Sequence, residues 1–191
     1  GLSTSSDCPT PTLTAVPTRN SPRSGVRKAG SRRVDPVGGD VVDTIPLGPP
    51  GSGSPESIAV GGGAVWVGDG LVPAMWKIDA ATDEVVANPG LRGVPTAIAV
   101  SEDGKVWIAS YDEGLLTVLD PTSLAPTTYP IGQGPADIAT APDAVWIVET
   151  IDGTVSSIDP SSGTIQSRVA IGDAPMGIEL GGGYIWVSRP A

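Results

Sequence analysis

A pattern that recurs about every forty residues constrains the fold of this chain more than any other feature. Each unit opens with a proline and a short strand of alternating polarity. The prolines are spaced forty residues apart, at Pro55, Pro95, Pro135 and Pro175. A second apolar strand follows in every unit and carries one tryptophan each time: Trp66, Trp107, Trp146 and Trp186. Self-similarity at this period is typical of folds built from repeated supersecondary units.

Two further strands complete three of the units. The third strand ends in an aspartate, at Asp79, Asp120 and Asp159, and the fourth is rich in β-branched residues and runs into glycine. The intervening turns are rich in Gly, Pro, Asp and Ser, and no segment has a helical period. Four short strands within forty residues predict one blade of a β-propeller. We therefore predict an all-β propeller of four-stranded blades.

The repeated tryptophans and aspartates have structural explanations. The chain has no phenylalanine, so we expect Trp66, Trp107, Trp146 and Trp186 to supply the aromatic packing between blades. The aspartates are expected to accept backbone N–H groups in turns. One carboxylate per blade does not bring ligands together, so we predict no metal site. Trp76 departs from the repeat, and both a packing variation and an exposed contact residue remain open for it.

The two ends of the repeat region are complementary. Residues 34–48 match 158–172, so the propeller region begins in a third strand, and it stops after the second strand of another unit. Three full blades and two half-blades result. We expect a fragment of a longer ring, with four-bladed closure or an eight-bladed ring of two chains as alternatives. An open arc would expose strand edges and apolar faces, so self-association is also expected.

Composition divides the chain into two parts. Residues 1–33 are rich in Ser, Thr and Pro and carry a net charge of +5, which predicts a disordered or extended basic linker. Residues 34–191, the expected propeller, carry a net charge of −15, which argues against nucleic-acid binding. No apolar stretch is long enough to span a membrane. Histidine is absent, which excludes Ser-His-Asp catalysis and His-ligated zinc within this sequence.

The segment IDPSSGTIQSRVAIGDAPMGIELGGGYIWV at 158–187 resembles the YVTN-type repeats of YncE-like propellers. It is also similar to the related virginiamycin B lyase-like repeats, and the resemblance covers residues 34–191. In the lyases the resemblance implies a catalytic histidine and a magnesium ion. Because this chain has no histidine, we predict that it lacks lyase activity, is not an enzyme and binds no cofactor.

Candidate binding residues follow from propeller geometry. The loop before the first strand and the loop after the second open on the same face, around the central channel. The residues three positions after each tryptophan lie there and differ between blades: Asp69, Ser110, Glu149 and Arg189. With Tyr111, they are predicted to contact an unidentified protein, peptide or small ligand at the channel face.

Three functions are compatible with these features. The first is a non-catalytic binding or scaffold module, extracytoplasmic and tethered by the linker. The second is the sensor domain of a larger membrane receptor, such as a serine/threonine kinase. The third is an enzyme, either lyase-like or a metal-assisted hydrolase using Glu149 and Asp152, and the absence of histidine disfavours its lyase form.

Overall fold

A computed structural model describes residues 30–48 and 53–190, and within these residues the chain forms sixteen strands and no helix. The N-terminal hairpin consists of β1 (Gly30–Val34) and β2 (Val41–Pro46). Blade 1 consists of β3 (Pro55–Gly61), β4 (Ala64–Asp69), β5 (Met75–Asp79) and β6 (Val85–Ala87). Blade 2 consists of β7 (Ala97–Val100), β8 (Val106–Ser110), β9 (Leu115–Leu119) and β10 (Pro126–Pro130). Blade 3 consists of β11 (Pro135–Thr140), β12 (Val145–Glu149), β13 (Thr154–Ile158) and β14 (Ile165–Ala170), and the C-terminal hairpin of β15 (Gly177–Gly181) and β16 (Tyr184–Ser188).

Each blade is an antiparallel meander in which strand order follows chain order. The first strands of successive units lie side by side, β3 next to β7, β7 next to β11 and β11 next to β15. This arrangement places the first strands toward one axis and the fourth strands at the periphery. The predicted all-β propeller is confirmed, with three full blades and two half-blades. Within the described ranges the two hairpins form separate sheets.

The N-terminal hairpin has the register of the outer half of a blade. Each residue of β1 and β2 lies 124 positions before its counterpart in β13 and β14. Strand β1 begins at Gly30, inside the segment expected to be linker, so the ordered sheet starts four residues before the boundary expected at residue 34. The remainder of that segment, residues 1–29, lies outside the described residues.

Apolar clusters fill the spaces between successive sheets, and each internal tryptophan packs toward the sheet that follows it. Trp66 is buried against Ile108 of blade 2, and Trp107 is buried against Ile147 of blade 3. Trp146 is half-buried and packs against the cluster that contains Ile178 of the C-terminal hairpin. This packing joins the blades into a continuous arc.

Trp76 packs backward, toward the N-terminal hairpin. It is buried in a cluster with Ile45 and Leu47 of the hairpin and Ile78 of blade 1. Of the two explanations left open by the sequence, the structure supports the packing variation. The bulky ring fills the space between blade 1 and the N-terminal hairpin, which forms a two-stranded sheet within the described ranges.

The repeated aspartates form the turns between third and fourth strands, as expected. Asp79, Asp120 and Asp159 each accept two backbone N–H groups at 2.7 to 3.1 Å. These hydrogen bonds favour the charged carboxylate, so the pKa of each of the three is lowered. The pKa of Asp159 falls to about 2, chiefly through the Ser161 hydroxyl and then the Ser161 backbone N–H.

Candidate functional site

One edge of every sheet, called here the loop edge, carries the residues predicted to bind a ligand. It contains the beginnings of first and third strands and the ends of second and fourth strands, as the pairs Pro135–Glu149 and Glu149–Thr154 show. Asp69, Ser110 and Glu149 end the second strands of their blades, and Arg189 follows the end of β16. The structure therefore puts these residues at the same edge, one on each successive unit.

Asp69 is fully buried and holds two loops together. Its Oδ2 accepts a hydrogen bond from the backbone N–H of Ser54, at 3.0 Å, in the loop before blade 1. Its Oδ1 accepts from the backbone N–H groups of Leu71, at 2.8 Å, and Val72, at 3.2 Å, in the turn after the second strand. The carboxylate thus positions the loop edge of blade 1 from within.

Glu149 is the corresponding residue of blade 3 and is also fully buried. Its Oε1 accepts from the backbone N–H of Gly132 at 2.9 Å and forms an ion pair with Arg168 at 2.9 Å. Its Oε2 accepts from the hydroxyls of Thr154 and Ser156. Four donors on one carboxylate match its acceptor capacity, which is the condition under which a buried charge is tolerated.

The turn after β12 supplies a second carboxylate that binds the loop containing Gly132. Asp152 Oδ2 accepts from the backbone N–H of Gln133 at 2.8 Å, directly after the Gly132 amide held by Glu149. Gly153 follows with a positive φ of 65°, and a Cβ there would lie 3.0 Å from the carbonyl oxygen of Gly172. Glycine is therefore required where this turn meets the loop after β14.

The remaining predicted residues have different surroundings. Ser110 is buried, and its Oγ has no hydrogen-bond partner among the described residues, although the same position in blades 1 and 3 is an anchoring acid. Tyr111 is half-buried, and its backbone N–H donates to Thr96 Oγ1 at 3.0 Å. Arg189 is exposed. Of the five residues, only Tyr111 and Arg189 are thus placed to touch a ligand without rearrangement.

Sequence reasoning missed the residues that complete the Glu149 cluster. Arg168 lies on β14, its side chain is 40% exposed, and its Nε donates to Ser156 Oγ at 2.9 Å. It is the one basic residue in the fourth strands that the structure describes. Glu149 and Arg168 lie in the same blade, and both depart from the repeat. That coincidence of an acid and a base is the signal in the sequence from which the pair could have been predicted.

The donor set for a magnesium ion is not assembled in the described ranges. No three His, Cys, Asp or Glu side chains converge there, and the carboxylates of Asp69 and Glu149 are already occupied by hydrogen bonds. Residues 30–48 and 53–190 therefore do not fit the magnesium site that the lyase resemblance implies. The same residues contain no helix long and apolar enough to cross a membrane.

A cleft lies at the opposite edge, between blades 2 and 3. Its volume is about 480 Å³, and its lining includes Ser101, Asp103, Lys105 and Ser161. Lys105 Nζ donates to the carbonyl of Pro160 at 3.1 Å and pairs with Asp103 at 3.0 Å, so the side chain bridges the two blades. This cleft contains none of the five predicted binding residues.

Comparison with known proteins relates the chain to lyases. No protein-family model matches it. It is 28% identical over 110 residues to a virginiamycin B lyase of Nocardia farcinica, covering 56% of this chain and 38% of that protein. The virginiamycin B lyase of Staphylococcus aureus has a similar structure, with a TM-score of 0.72 at 22% identity, covering 83% of this chain and 56% of the lyase.

A second structure of the Staphylococcus aureus lyase, a catalytically inactive histidine-to-alanine variant with quinupristin, gives a TM-score of 0.72 at 23% identity, covering 86% of this chain and 57% of that protein. The chain thus spans less than two thirds of the length of each of these relatives.

The prediction that this protein is not an enzyme is contradicted by its sequence similarity to a protein that is a virginiamycin B lyase. The prediction relied on the absence of histidine in a chain that matches only 38% of its relative. A propeller site is assembled from loops of several blades, so the residue types of a few blades do not decide its chemistry. The chain is a β-propeller related in sequence and fold to virginiamycin B lyase.

Proposed function

We propose that this chain forms part of a lyase-like propeller whose loop edge binds a cyclic peptide substrate. The sequence relation to virginiamycin B lyase carries the proposal. The presence of quinupristin in the structure of a similar lyase suggests the ligand class. This narrows the protein, peptide or small ligand expected from the sequence to one chemistry.

The loop edge supports this proposal because its architecture separates anchoring residues from contact residues. Asp69 and Glu149 are positioning residues, since their buried carboxylates accept hydrogen bonds from the loops that form the edge. Tyr111 and Arg189 are the contact residues. The guanidinium of Arg189 donates to peptide carbonyl oxygens, and the ring of Tyr111 packs against apolar ligand side chains.

The residues of this chain bind and orient the substrate in this proposal. Rigid anchoring of the loops reduces the entropy lost on binding, which favours a cyclic ligand that is itself constrained. No proton-transfer step is assigned to a histidine, because the sequence contains none. The described residues do not fit a magnesium site, and no step is derived through that ion.

Binding and turnover of quinupristin test the proposal separately. Isothermal titration calorimetry is expected to detect binding. Chromatography with tandem mass spectrometry is expected to detect ring opening, because elimination within a ring gives a linear product of unchanged mass. Arg189→Ala and Tyr111→Ala should each weaken binding about tenfold, the effect of losing one good polar or aromatic contact. Val86→Ala, on the exposed face of β6, is the matched control and should bind normally. A wild-type protein that neither binds nor converts quinupristin would reject the assignment.

The proposal also includes the type of repeat, the location of the protein and the role of its N-terminal segment. We assign the repeats to the YVTN type, place the protein outside the cytoplasm, and treat the basic N-terminal segment as its tether. The support is the repeat sequence and the composition of residues 1–33. The receptor-sensor alternative stays a prediction, which the upstream reading frame would test.

A further inference from the structure

Blade 2 differs from the blades on either side of it because its loop edge lacks a buried acid. Asp69 and Glu149 each accept a hydrogen bond from the preceding loop, at Ser54 and Gly132. The counterpart in blade 2 is Ser110, whose side chain is 1% exposed and whose Oγ has no hydrogen-bond partner among the described residues. A buried hydroxyl without a partner is unusual in folded proteins, and it marks a place where another polar group can be received.

Ser110 and Glu113 converge on the glycine of the loop before β7. A Cβ on Gly93 would lie 2.8 Å from Ser110 Oγ and 2.8 Å from Glu113 Oε2. Gly93 is the counterpart of Gly132 in blade 3, where a buried carboxylate accepts the N–H of the loop. The same space in blade 2 therefore contains a neutral hydroxyl, with the carboxylate of an exposed residue beside it.

The carboxylates of the blade 2 turn are not paired with basic side chains. Asp112 and Glu113 are both exposed, and neither belongs to the three ion pairs of the described residues. Arg92, the basic residue of the adjacent loop, belongs to none of these pairs either. In blade 3 the counterpart of Glu113 is Asp152, which accepts a hydrogen bond from the backbone N–H of Gln133 at 2.8 Å. The blade 2 turn thus keeps for a ligand the acceptor capacity that blade 3 uses internally.

Apolar side chains occupy the same turn position on the neighbouring blades. Asp112 corresponds to Leu71 in blade 1, which is 75% exposed, and to Ile151 in blade 3, which is 63% exposed. Ile151 lies in a blade with described sheets on both sides, blade 2 and the C-terminal hairpin. Two carboxylates beside an exposed apolar side chain complement a ligand that carries a positive charge next to an apolar group.

We propose that Ser110, Asp112 and Glu113 form an amine subsite, which binds a protonated amine of the cyclic peptide; this inference rests on the proposed function. The Glu113 carboxylate accepts hydrogen bonds from the ammonium group, and Asp112 adds a second negative charge. Ser110 Oγ accepts a further N–H once the loop at Gly93 shifts. Because blade 2 has no buried acid at this position, the shift breaks no hydrogen bond of the kind that Glu149 makes in blade 3.

Two rings that differ only in charge test the amine subsite by calorimetry with the full chain. One is a head-to-tail cyclic hexapeptide that contains leucine, tyrosine and one lysine, and the other is the same ring acetylated on the lysine. The wild type is expected to bind the amine ring about tenfold more tightly, the effect of one hydrogen bond to a charged group. Glu113→Gln should reduce this preference to below about threefold. Equal binding of the two rings by the wild type, or an unchanged preference in Glu113→Gln, would overturn the inference.

Glu102→Gln is the matched control for the loss of one carboxylate. Glu102 is exposed in the turn between β7 and β8, at the opposite edge of the same blade. The control should keep the full preference for the amine ring, because its charge lies away from the subsite. A loss as large as that in Glu113→Gln would show that the preference comes from the overall charge of the protein and would contradict a local subsite.

Ser110→Ala separates binding from stability. It should lower the preference for the amine ring about threefold and leave the melting temperature of the free protein unchanged, because the hydroxyl has no partner to lose among the described residues. An unchanged preference in Ser110→Ala would remove the hydroxyl from the subsite and overturn its assignment.

Quinupristin distinguishes failure of this inference from failure of the proposed function. A protein that binds quinupristin but does not prefer the amine ring keeps the proposed function and loses the amine subsite. A protein that prefers the amine ring but does not bind quinupristin keeps the subsite and loses the proposed ligand. If neither quinupristin nor either ring binds, both proposals are rejected.

Discussion

Trp107 and Trp186 occupy the same position of the repeat and have opposite environments. Trp107 is 1% exposed between blades 2 and 3, and its Nε1 donates to Ser101 Oγ at 3.1 Å. Trp186 is 64% exposed, contacts Tyr184 edge-on at 6.5 Å between ring centroids, and donates to the carbonyl of Gly181. Both side chains point away from the preceding blade. What differs is whether the described residues include a following blade that packs against the ring.

The comparison shows that a repeat residue acquires its energetic role from its neighbour rather than from its own blade. Stability in repeat architectures is the sum of contributions from single repeats and from interfaces between adjacent repeats. Trp107 contributes to an interface between two blades, whereas within the described residues no following blade packs against Trp186.

Trp107→Ala is expected to lower the free energy of unfolding by about 3 to 5 kcal/mol, the usual result of removing a buried aromatic ring. Trp186→Ala should change it by less than about 0.5 kcal/mol in the monomer, because the ring is largely exposed. Urea denaturation at concentrations where the chain is monomeric measures both values. Equal losses for the two variants would show that burial does not distinguish these tryptophans.

The loop edge allows the same comparison with charged residues. Glu149→Ala should lower the free energy of unfolding by about 2 to 4 kcal/mol, because it removes the acceptor of four donors. The cost stays below that of a fully buried ion pair, since Arg168 is 40% exposed and regains water. Arg189→Ala, at the exposed counterpart, should change the value by less than about 0.5 kcal/mol. A loss for Arg189→Ala as large as that for Glu149→Ala would contradict the assignment of the two roles.

Two buried serines sharpen the comparison further. Ser156 donates to Glu149 and accepts from Arg168, so Ser156→Ala is expected to cost about 1 to 2 kcal/mol. Ser110 has no partner for its Oγ among the described residues, so Ser110→Ala should be neutral within about 0.5 kcal/mol or stabilising. Chemical denaturation of both variants gives the difference. A clear destabilisation by Ser110→Ala would reveal a hydrogen bond at that hydroxyl.

The smallest effect is expected at the exposed aspartate turns. The folded-state pKa of Asp159 is lowered from 3.8 to about 2. The turn therefore contributes its full stabilisation above pH 3.8 and loses it as the pH falls through about 2. The melting temperature of Asp159→Asn should lie slightly below that of the wild type at pH 5, and the gap should close toward pH 2. Asp143→Asn, at an exposed position in the turn between β11 and β12, is the matched control for the loss of one surface carboxylate.

The sequence predicted the framework because the framework repeats. Short-range turn chemistry explains Asp79 and Asp120, whose carboxylates cap backbone N–H groups two and three residues ahead. The glycine turns between first and second strands have the expected positive φ, for example 74° at Gly63 and 85° at Gly104. These features depend on a few neighbouring residues, so a local pattern is enough to identify them.

The candidate site was only partly predictable. The structure locates the position three residues after each tryptophan at the loop edge, but the sequence did not distinguish buried residues from exposed ones. Asp69 and Glu149 are buried because loops distant in sequence bring N–H groups to them, such as those of Ser54 and Gly132. A variable acid at a propeller rim is compatible with either role until those loops are placed.

The sequence by itself determined the strand order, the blade period, the turns and the complementary register of the two half-blades, because each depends on spacing and local backbone chemistry. Only the tertiary structure decided that Asp69 and Glu149 are anchors, that Arg168 completes one of them, and that Trp186 is exposed among the described residues. Burial and hydrogen-bond satisfaction depend on groups brought together from distant blades, and no single repeat contains that information.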